Sequence, residues 1–333
     1  MCRKDSAPHS QPDEVMLPID RPPLITIFGG GGFIGRTVCE ALLKRGARIL
    51  VAQRDIRGAH VVQPLAQVGQ IGFQAADVTR PHSVTRAVEG ADAVINLVGA
   101  FRDMEAVHAD GAEAIAQAAA KAGVGAFVHI SAIGADAASP SAYGRTKAAG
   151  EARVRAVFPK ATIIRPSLVF GPDDALTNRF AGLGRLPIVP VLAPGTKFQP
   201  VYVRDLAEAI ALAAIDPEAH GAKTYEIGGP EVMTMIGLQR AIFALTGQSP
   251  DLIEFPDIAG NLLSRLGFLP GAPLTRDQWL MLQRDNVAAK RSAGLKAFGI
   301  EPTPLAAVGP EWLSRYRPGG RFAGRRAPLA NAG

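Results

Sequence analysis

Cysteine is nearly absent: two occur among 333 residues, too few for a disulfide framework. Cys2 lies in a polar leader, while Cys39 shares an apolar helical stripe with Leu42 and Leu43. A reduced, core-packed thiol is therefore expected at Cys39. No apolar run reaches the roughly 18 residues of a membrane-spanning helix. No charged-then-apolar leader with a small-residue cleavage site is found either, so no secretory signal is expected. Aromatic residues make up 6% of the chain and charged residues 20%, against 47% hydrophobic, which excludes a disordered polyelectrolyte and suits a globular protein. The histidines, acids and cysteines show no ligand spacing, so no metal site is expected. His129, the one histidine in a core strand, reads as a buried structural residue. The formal charge of +6 favours phosphate-rich partners or an anionic membrane surface. Nucleic acid is not expected, because no basic helix interleaved with aromatics is present.

What is present is an alternation. Residues 1–22 form an aperiodic leader and 317–333 a basic tail carrying Arg321, Arg325 and Arg326, both expected to be mobile. Between them, β-branched runs at Leu24–Phe28, Arg48–Ala52, Gly72–Ala75, Ala93–Leu97, Ala126–Ile130 and Ala161–Ile164 predict strands. Helical segments at Thr37–Arg45, Ser83–Val88, Ala109–Ala122 and Gly144–Val157 separate them. That order predicts a Rossmann-type α/β fold, a doubly wound parallel sheet with helices on both faces. After Pro166 the rhythm breaks into short Gly/Pro-bounded segments around a helix at Val203–Ile215. Residues 166–200 and 228–316 are expected to form a smaller second lobe over the sheet's carboxyl edge, where open α/β folds bind ligands.

The first motif is Gly29-Gly30-Gly31-Gly32-Phe33-Ile34-Gly35, directly after a strand and directly before an amphipathic helix. Gly29, Gly32 and Gly35 have the G-x-x-G-x-x-G spacing that lets backbone and a helix amino end approach a pyrophosphate. NAD binders usually place an acid about 20 residues further on, at the tip of the second strand. Here that tip reads Gln53-Arg54. Arg54 can pair with a 2′-phosphate, with Arg36 close by in the first helix, so NADP(H) is expected over NAD(H). Asp55, displaced by one residue, keeps NAD open, and Arg57 reads as a solvated side chain. Asp77 and Val78 close the third strand near the expected adenine edge. Leu97, Val98 and Gly99 follow Asn96 at the fourth strand's end, where Gly99 would let a cofactor pass close to the backbone.

The second motif is Tyr143-Gly-Arg-Thr-Lys147. Tyr143 and Lys147, four apart, share one helix face. An ammonium there would lower the phenol's pKa and bind the nicotinamide ribose, letting Tyr143 exchange a proton in hydride transfer. An ordinary amphipathic helix also carries such pairs; its place after the fifth strand favours the functional reading.

Together with Phe127–Ser131, Arg165-Pro166-Ser167 and Gln199–Asp205, these motifs resemble the extended short-chain dehydrogenase/reductase superfamily. A closer resemblance is to an atypical branch, the NADPH-binding accessory subunits of respiratory complex I. It is carried by Tyr143–Glu151, Phe158-Pro159, Phe170-Gly171, Gln199–Val203, Leu274-Thr-Arg-Asp277 and Gly299–Leu305. The resemblance implies Tyr143, Lys147 and Ser131 at a reaction site, and Pro166 among the cofactor contacts. One departure stands out: the position that normally offers a substrate-facing Ser or Thr is Ala132. A missing donor at a developing oxyanion can cost roughly 10²–10³ in rate. Tyr143 also follows Ala132 by only 11 positions, a short connection for this class.

Two functions are therefore expected. The first is an NADPH-holding accessory protein of complex I or related quinone machinery, cytoplasmic and peripheral on the inner face of the respiratory membrane. The second is an NADP-dependent reductase or epimerase with a hydrophobic substrate. The apolar stretch Asp251–Leu269 suits a partner surface, a lipid-like substrate or the membrane interface, and equally ordinary core packing.

Overall fold

The computed structural model describes residues 21–265, 267 and 274–319. Cys2 and the leader to Asp20, the tail from Gly320 with Arg321, Arg325 and Arg326, and Leu266, Phe268 and Leu269 lie outside the described residues.

Seven strands form one sheet: β1 (Leu24–Phe28), β2 (Arg48–Gln53), β3 (Ile71–Ala75), β4 (Ala93–Asn96), β5 (Ala126–Ile130), β6 (Thr162–Pro166) and β7 (Thr224–Ile227). Their order is β7-β6-β5-β4-β1-β2-β3, and every neighbouring pair is parallel. The chain thus winds outward from β1 in one direction and from β4 in the other. The crevice where the order reverses, at the carboxyl ends of β1 and β4, is where such sheets bind ligands.

The helices that position the site are α1 (Phe33–Lys44), α2 (Pro81–Val88), α3 (Gly111–Lys121), α4 (Ala142–Val157), α5 (Val203–Ile215) and α6 (Arg276–Leu282). Each buries an apolar stripe. Val38 and Leu42 of α1 join Leu206 and Ile210 of α5 on one face of the sheet. Val84 of α2, Ile115 of α3 and Val154 of α4 cover the other. With both faces covered, β4 and β5 are buried at every residue, which explains why they are apolar apart from the paired Asn96 and His129.

Beyond β6, three two-stranded pairs stand apart from the main sheet: Val169–Phe170 with Val201–Tyr202, Lys197–Phe198 with Met233–Thr234, and Ile188–Val191 with Asp251–Glu254. They surround a separate core in which Phe170, Tyr202 and Trp312 stack, beside Leu238 and Ile242. Leu295, Phe298 and Ile300 pack instead into the main sheet's core. Among the described residues no helix is long and apolar enough to cross a membrane.

The candidate nucleotide and reaction site

The glycines after β1 are required for different physical reasons. Gly29 has φ +84°, a conformation side chains rarely adopt, and lies against the backbone of Leu97. At Gly35 a Cβ would fall 2.7 Å from Gly30 Cα, so this glycine brings α1 tight onto the loop. Gly30 sits over Val51 and the Cys39 sulfur, and burial pushes the Cys39 thiol up to about 12. Gly32 is exposed and is the N-cap of α1, with no side-chain cap on that helix. The first turn of α1, Phe33 to Gly35, therefore presents backbone N–H groups free for an anion. The Phe33 ring is turned toward the outlying core and Gly171, with Ile34 beside it.

Gly31 behaves differently. Its N–H donates to Gln53 Oε1 at 3.0 Å, and a Cβ would meet that oxygen at 2.6 Å. Gln53 closes β2 and sits over the glycine loop, a role that the pattern of an acid at the strand's tip does not contain. Asp55 is committed to capping the short helix Ile56–Ala59 by accepting from Arg57 N. Arg54 is exposed and near Asp77. The hydroxyl and amide of Thr79 hold the Asp77 carboxyl below its usual range, and Arg54 and Arg80 add to the effect. The Asp77 amide donates to Ser83 Oγ, and Val78 is buried against Gly111, so the Asp77 groups expected at an adenine edge already have protein partners. Arg36, in the first turn of α1, forms a solvent-exposed ion pair at 3.2 Å with Asp173.

Beyond β4, Leu97 N–H donates to Phe28 O and Val98 N–H to Asn96 Oδ1, which leads the chain past Gly29 to exposed Gly99. Asn96 Nδ2 then donates to His129 Nδ1 at 3.1 Å, leaving the His129 proton on a buried, unpartnered Nε2. His108 lies in a π-helical turn and accepts from Ala100 N–H at 3.0 Å through Nε2, so its Nδ1 proton goes to Thr146 Oγ1 at 2.9 Å. Burial first, and Lys147's charge second, lower the His108 pKa to about 4 and the His129 pKa to about 3. Neither histidine was singled out from the sequence as a support for the post-β4 loop.

α4 brings Tyr143 and Lys147 beside this loop. Lys147 is buried, its Nζ donates to Ile130 O at 3.0 Å, and it lies 3.9 Å from a Cβ placed on Gly99. Burial lowers its pKa to about 8. The Tyr143 ring stacks on Phe101 at 5.2 Å and meets His108 edge-on at 5.3 Å, with Lys147 Nζ 5.9 Å from its centroid. Here the structure corrects the sequence expectation. Burial raises the Tyr143 phenol to about 12, and the Lys147 ammonium, held on Ile130 O, does not offset that rise. Ser131 follows β5 directly, and its buried hydroxyl has no partner among the described residues. Pro166 is buried and its carbonyl accepts from Ile133 N–H, fixing the segment that carries Ala132.

An uncapped helix start, an exposed loop glycine and an orphaned Ser131 hydroxyl beside a buried lysine fit a dinucleotide laid across the carboxyl ends of β1 and β4. The sequence pattern of the NAD dependent epimerase/dehydratase family matches residues 25–228. The chain belongs to that family. It is 36% identical over 302 residues to the rat mitochondrial NADH dehydrogenase [ubiquinone] 1 alpha subcomplex subunit 9, covering 88% of this chain and 80% of that one. It is 30% identical over 262 residues to the ceramide reductase of Caulobacter vibrioides, covering 75% of this chain and 80% of the relative. Among solved structures, Citrobacter triphenylmethane reductase complexed with NADP(H) superimposes with a TM-score of 0.70 at 21% identity, over 86% of this chain and 99% of that one. At that identity the likeness establishes the fold alone.

Proposed function

We propose that this epimerase-family protein holds NADPH as an accessory component of a complex I-type NADH:ubiquinone oxidoreductase, on the inner face of the respiratory membrane. The observation that carries the reading is the kinship with the complex I subunit, which spans both chains and not the nucleotide-binding half alone. The geometry supports it. The free start of α1, Gly29 and Gly32 would receive the pyrophosphate, and Arg54 the 2′-phosphate. Lys147 and Tyr143 would meet the nicotinamide ribose. The reaction half lacks a donor at Ala132, while Phe101 lies across the Tyr143 ring. Residues 166–200 and much of 228–316 serve in this reading as the lobe offered to partner subunits.

The test is gentle solubilisation of respiratory membranes from the native host, followed by native electrophoresis and identification of bound nucleotide. Comigration with complex I subunits and release of NADPH are expected. A protein that runs alone and carries no nucleotide would refute both parts.

A second reading, an NADPH-dependent reductase of a hydrophobic substrate, is favoured by the similarity to a ceramide reductase. Steady NADPH consumption with a long-chain ketone, abolished by Tyr143→Phe, would establish it.

A further inference from the structure

The helix bearing Tyr143 and Lys147 starts on a carboxylate supplied from far along the chain. Asp277, in the first turn of α6, accepts from Ala142 N–H at 2.6 Å, Tyr143 N–H at 3.2 Å and Ser141 Oγ–H at 3.0 Å. Ser141 in turn accepts from Gly144 N–H. All three N–H groups opening α4 are thus satisfied, two of them by an acid 134 or more residues away in sequence. The acid is itself anchored. Thr275 and Gln278 form a capping box at the start of α6. Trp279 is buried and packs so closely on Gly260 that a Cβ there would collide with its ring. Just beyond α6, Arg284 pairs with Asp136 at 3.3 Å and Asn286 Nδ2 donates to Ile133 O at 3.4 Å. One short segment therefore grips both the start of α4 and the loop that follows β5.

We propose that Asp277 is a positioning residue for the nicotinamide half of the site: it sets the axial place and tilt of α4, and through them the ring of Tyr143 and the ammonium of Lys147. The inference rests on the nucleotide reading above and adds a residue that neither the glycine loop nor the Tyr/Lys spacing contains. A carboxylate at a helix amino end is favourable in charge and in hydrogen bonding. Losing it frees the first turn of α4 to move, and Tyr143 is part of that turn. Among the described residues, no hydrogen bond or ion pair joins Asp277 to α1 or to the end of β2, where the adenosine half would lie. The affinity of that half should be insensitive to the substitution.

The experiment compares NADPH with adenosine 2′,5′-bisphosphate, the adenosine half of the cofactor, on the full chain and on Asp277→Ala and Asp277→Asn. Asp277→Ala is expected to weaken NADPH about tenfold, the scale of one charge-assisted hydrogen bond, while the bisphosphate stays within about twofold. Asp277→Asn keeps one acceptor oxygen and should recover part of the loss. The fluorescence of bound NADPH should also move toward that of the free cofactor in Asp277→Ala. Should the alanine variant fail to fold, the near-isosteric asparagine variant carries the same comparison. Equal losses for both ligands, or no loss for either, would overturn the proposal and leave Asp277 an ordinary helix cap. If the unaltered protein binds neither ligand, the nucleotide reading falls and this inference with it.

Discussion

The two buried imidazoles beside the post-β4 loop make an acid-sensitive lock, and its size follows from their environment. His108 and His129 are each 1% exposed, with pKa values lowered to about 4 and about 3 from an ordinary 6.5. Both stay neutral in the folded protein until well below pH 5, whereas the unfolded chain takes up two protons near pH 6.5. Stability from this source is complete above about pH 7 and is lost as pH falls through 6.5 toward 4. Between pH 7.5 and 5 each histidine should remove about 2 kcal/mol. Protonation is opposed locally as well. A proton on His108 Nε2 would face the Ala100 N–H, and one on His129 Nδ1 would face the Asn96 amide. Carboxylates titrate in the same range, so the assay is a difference. Urea unfolding of the unaltered protein, His108→Gln and His129→Gln is measured at pH 7.5 and at pH 5. Each variant starts less stable at pH 7.5, by about 1–3 kcal/mol for the broken hydrogen bonds. Its deficit should shrink by about 2 kcal/mol at pH 5. A deficit that stays the same at both pH values would refute the reasoning.

Three further outcomes are expected. Gly32→Val should fold with a cost of about 1 kcal/mol, since a Cβ there meets only Gly29 O at 3.2 Å; equilibrium dialysis should nevertheless find NADPH binding abolished. Arg54→Ala should weaken NADPH about 10- to 100-fold, the worth of charge-assisted bonds to phosphate, and NADH much less; equal losses in parallel titrations would remove Arg54 from the 2′-phosphate. Because Lys147 loses its charge near pH 8, NADPH affinity should fall as pH rises from 7 to 9, a range in which the 2′-phosphate is already dianionic. That slope should vanish in Lys147→Met.

Much of the sheet was legible because buried parallel strands are mostly apolar runs without Gly or Pro, and β1, β4 and β5 lie within a residue of where those runs begin and end. Boundaries set by contacts were less readable. α1 begins at Phe33 and not at Thr37, because its N-cap is a glycine without a side-chain signature. α4 begins at Ala142, two residues before the expected Gly144, because its first turn is completed by a distant Asp277. β7 was missed since Thr224–Ile227 is four residues long and its place at the sheet edge comes from pairing with β6. The same limit applies at the site. Gly29, Gly32 and the Tyr143/Lys147 spacing are local patterns, but Gln53 over Gly31, His108 under Ala100 and Arg36 on Asp173 are meetings between segments that share no pattern. The Thr275–Gln278 capping box was readable; that the acid between them serves another helix was not.

If NADPH is held and not consumed, its contribution is thermodynamic. A ligand that binds only the folded state stabilises by about 2.7 kcal/mol at 100 times its Kd, comparable with the loss expected from one buried histidine at pH 5. The groups it would engage lie on separate parts of the fold: α1 after β1, Arg54 after β2, and α4 after β5. A nucleotide spanning them would tie together both halves of the sheet across the point where its order reverses. α4 is already fastened by Asp277 to the segment 275–286, so that tie would extend to the outlying elements. Retaining Tyr143 and Lys147 without a donor at Ala132 then has a physical reason, since binding a ribose needs the lysine's charge and the helix's placement but no oxyanion stabilisation. Restoring the donor with Ala132→Ser separates these roles. NADPH affinity should stay within about threefold, because a hydroxyl there adds at most about one net hydrogen bond to the cofactor. Any new NADPH oxidation in that variant would show that Ala132 alone had kept the site silent.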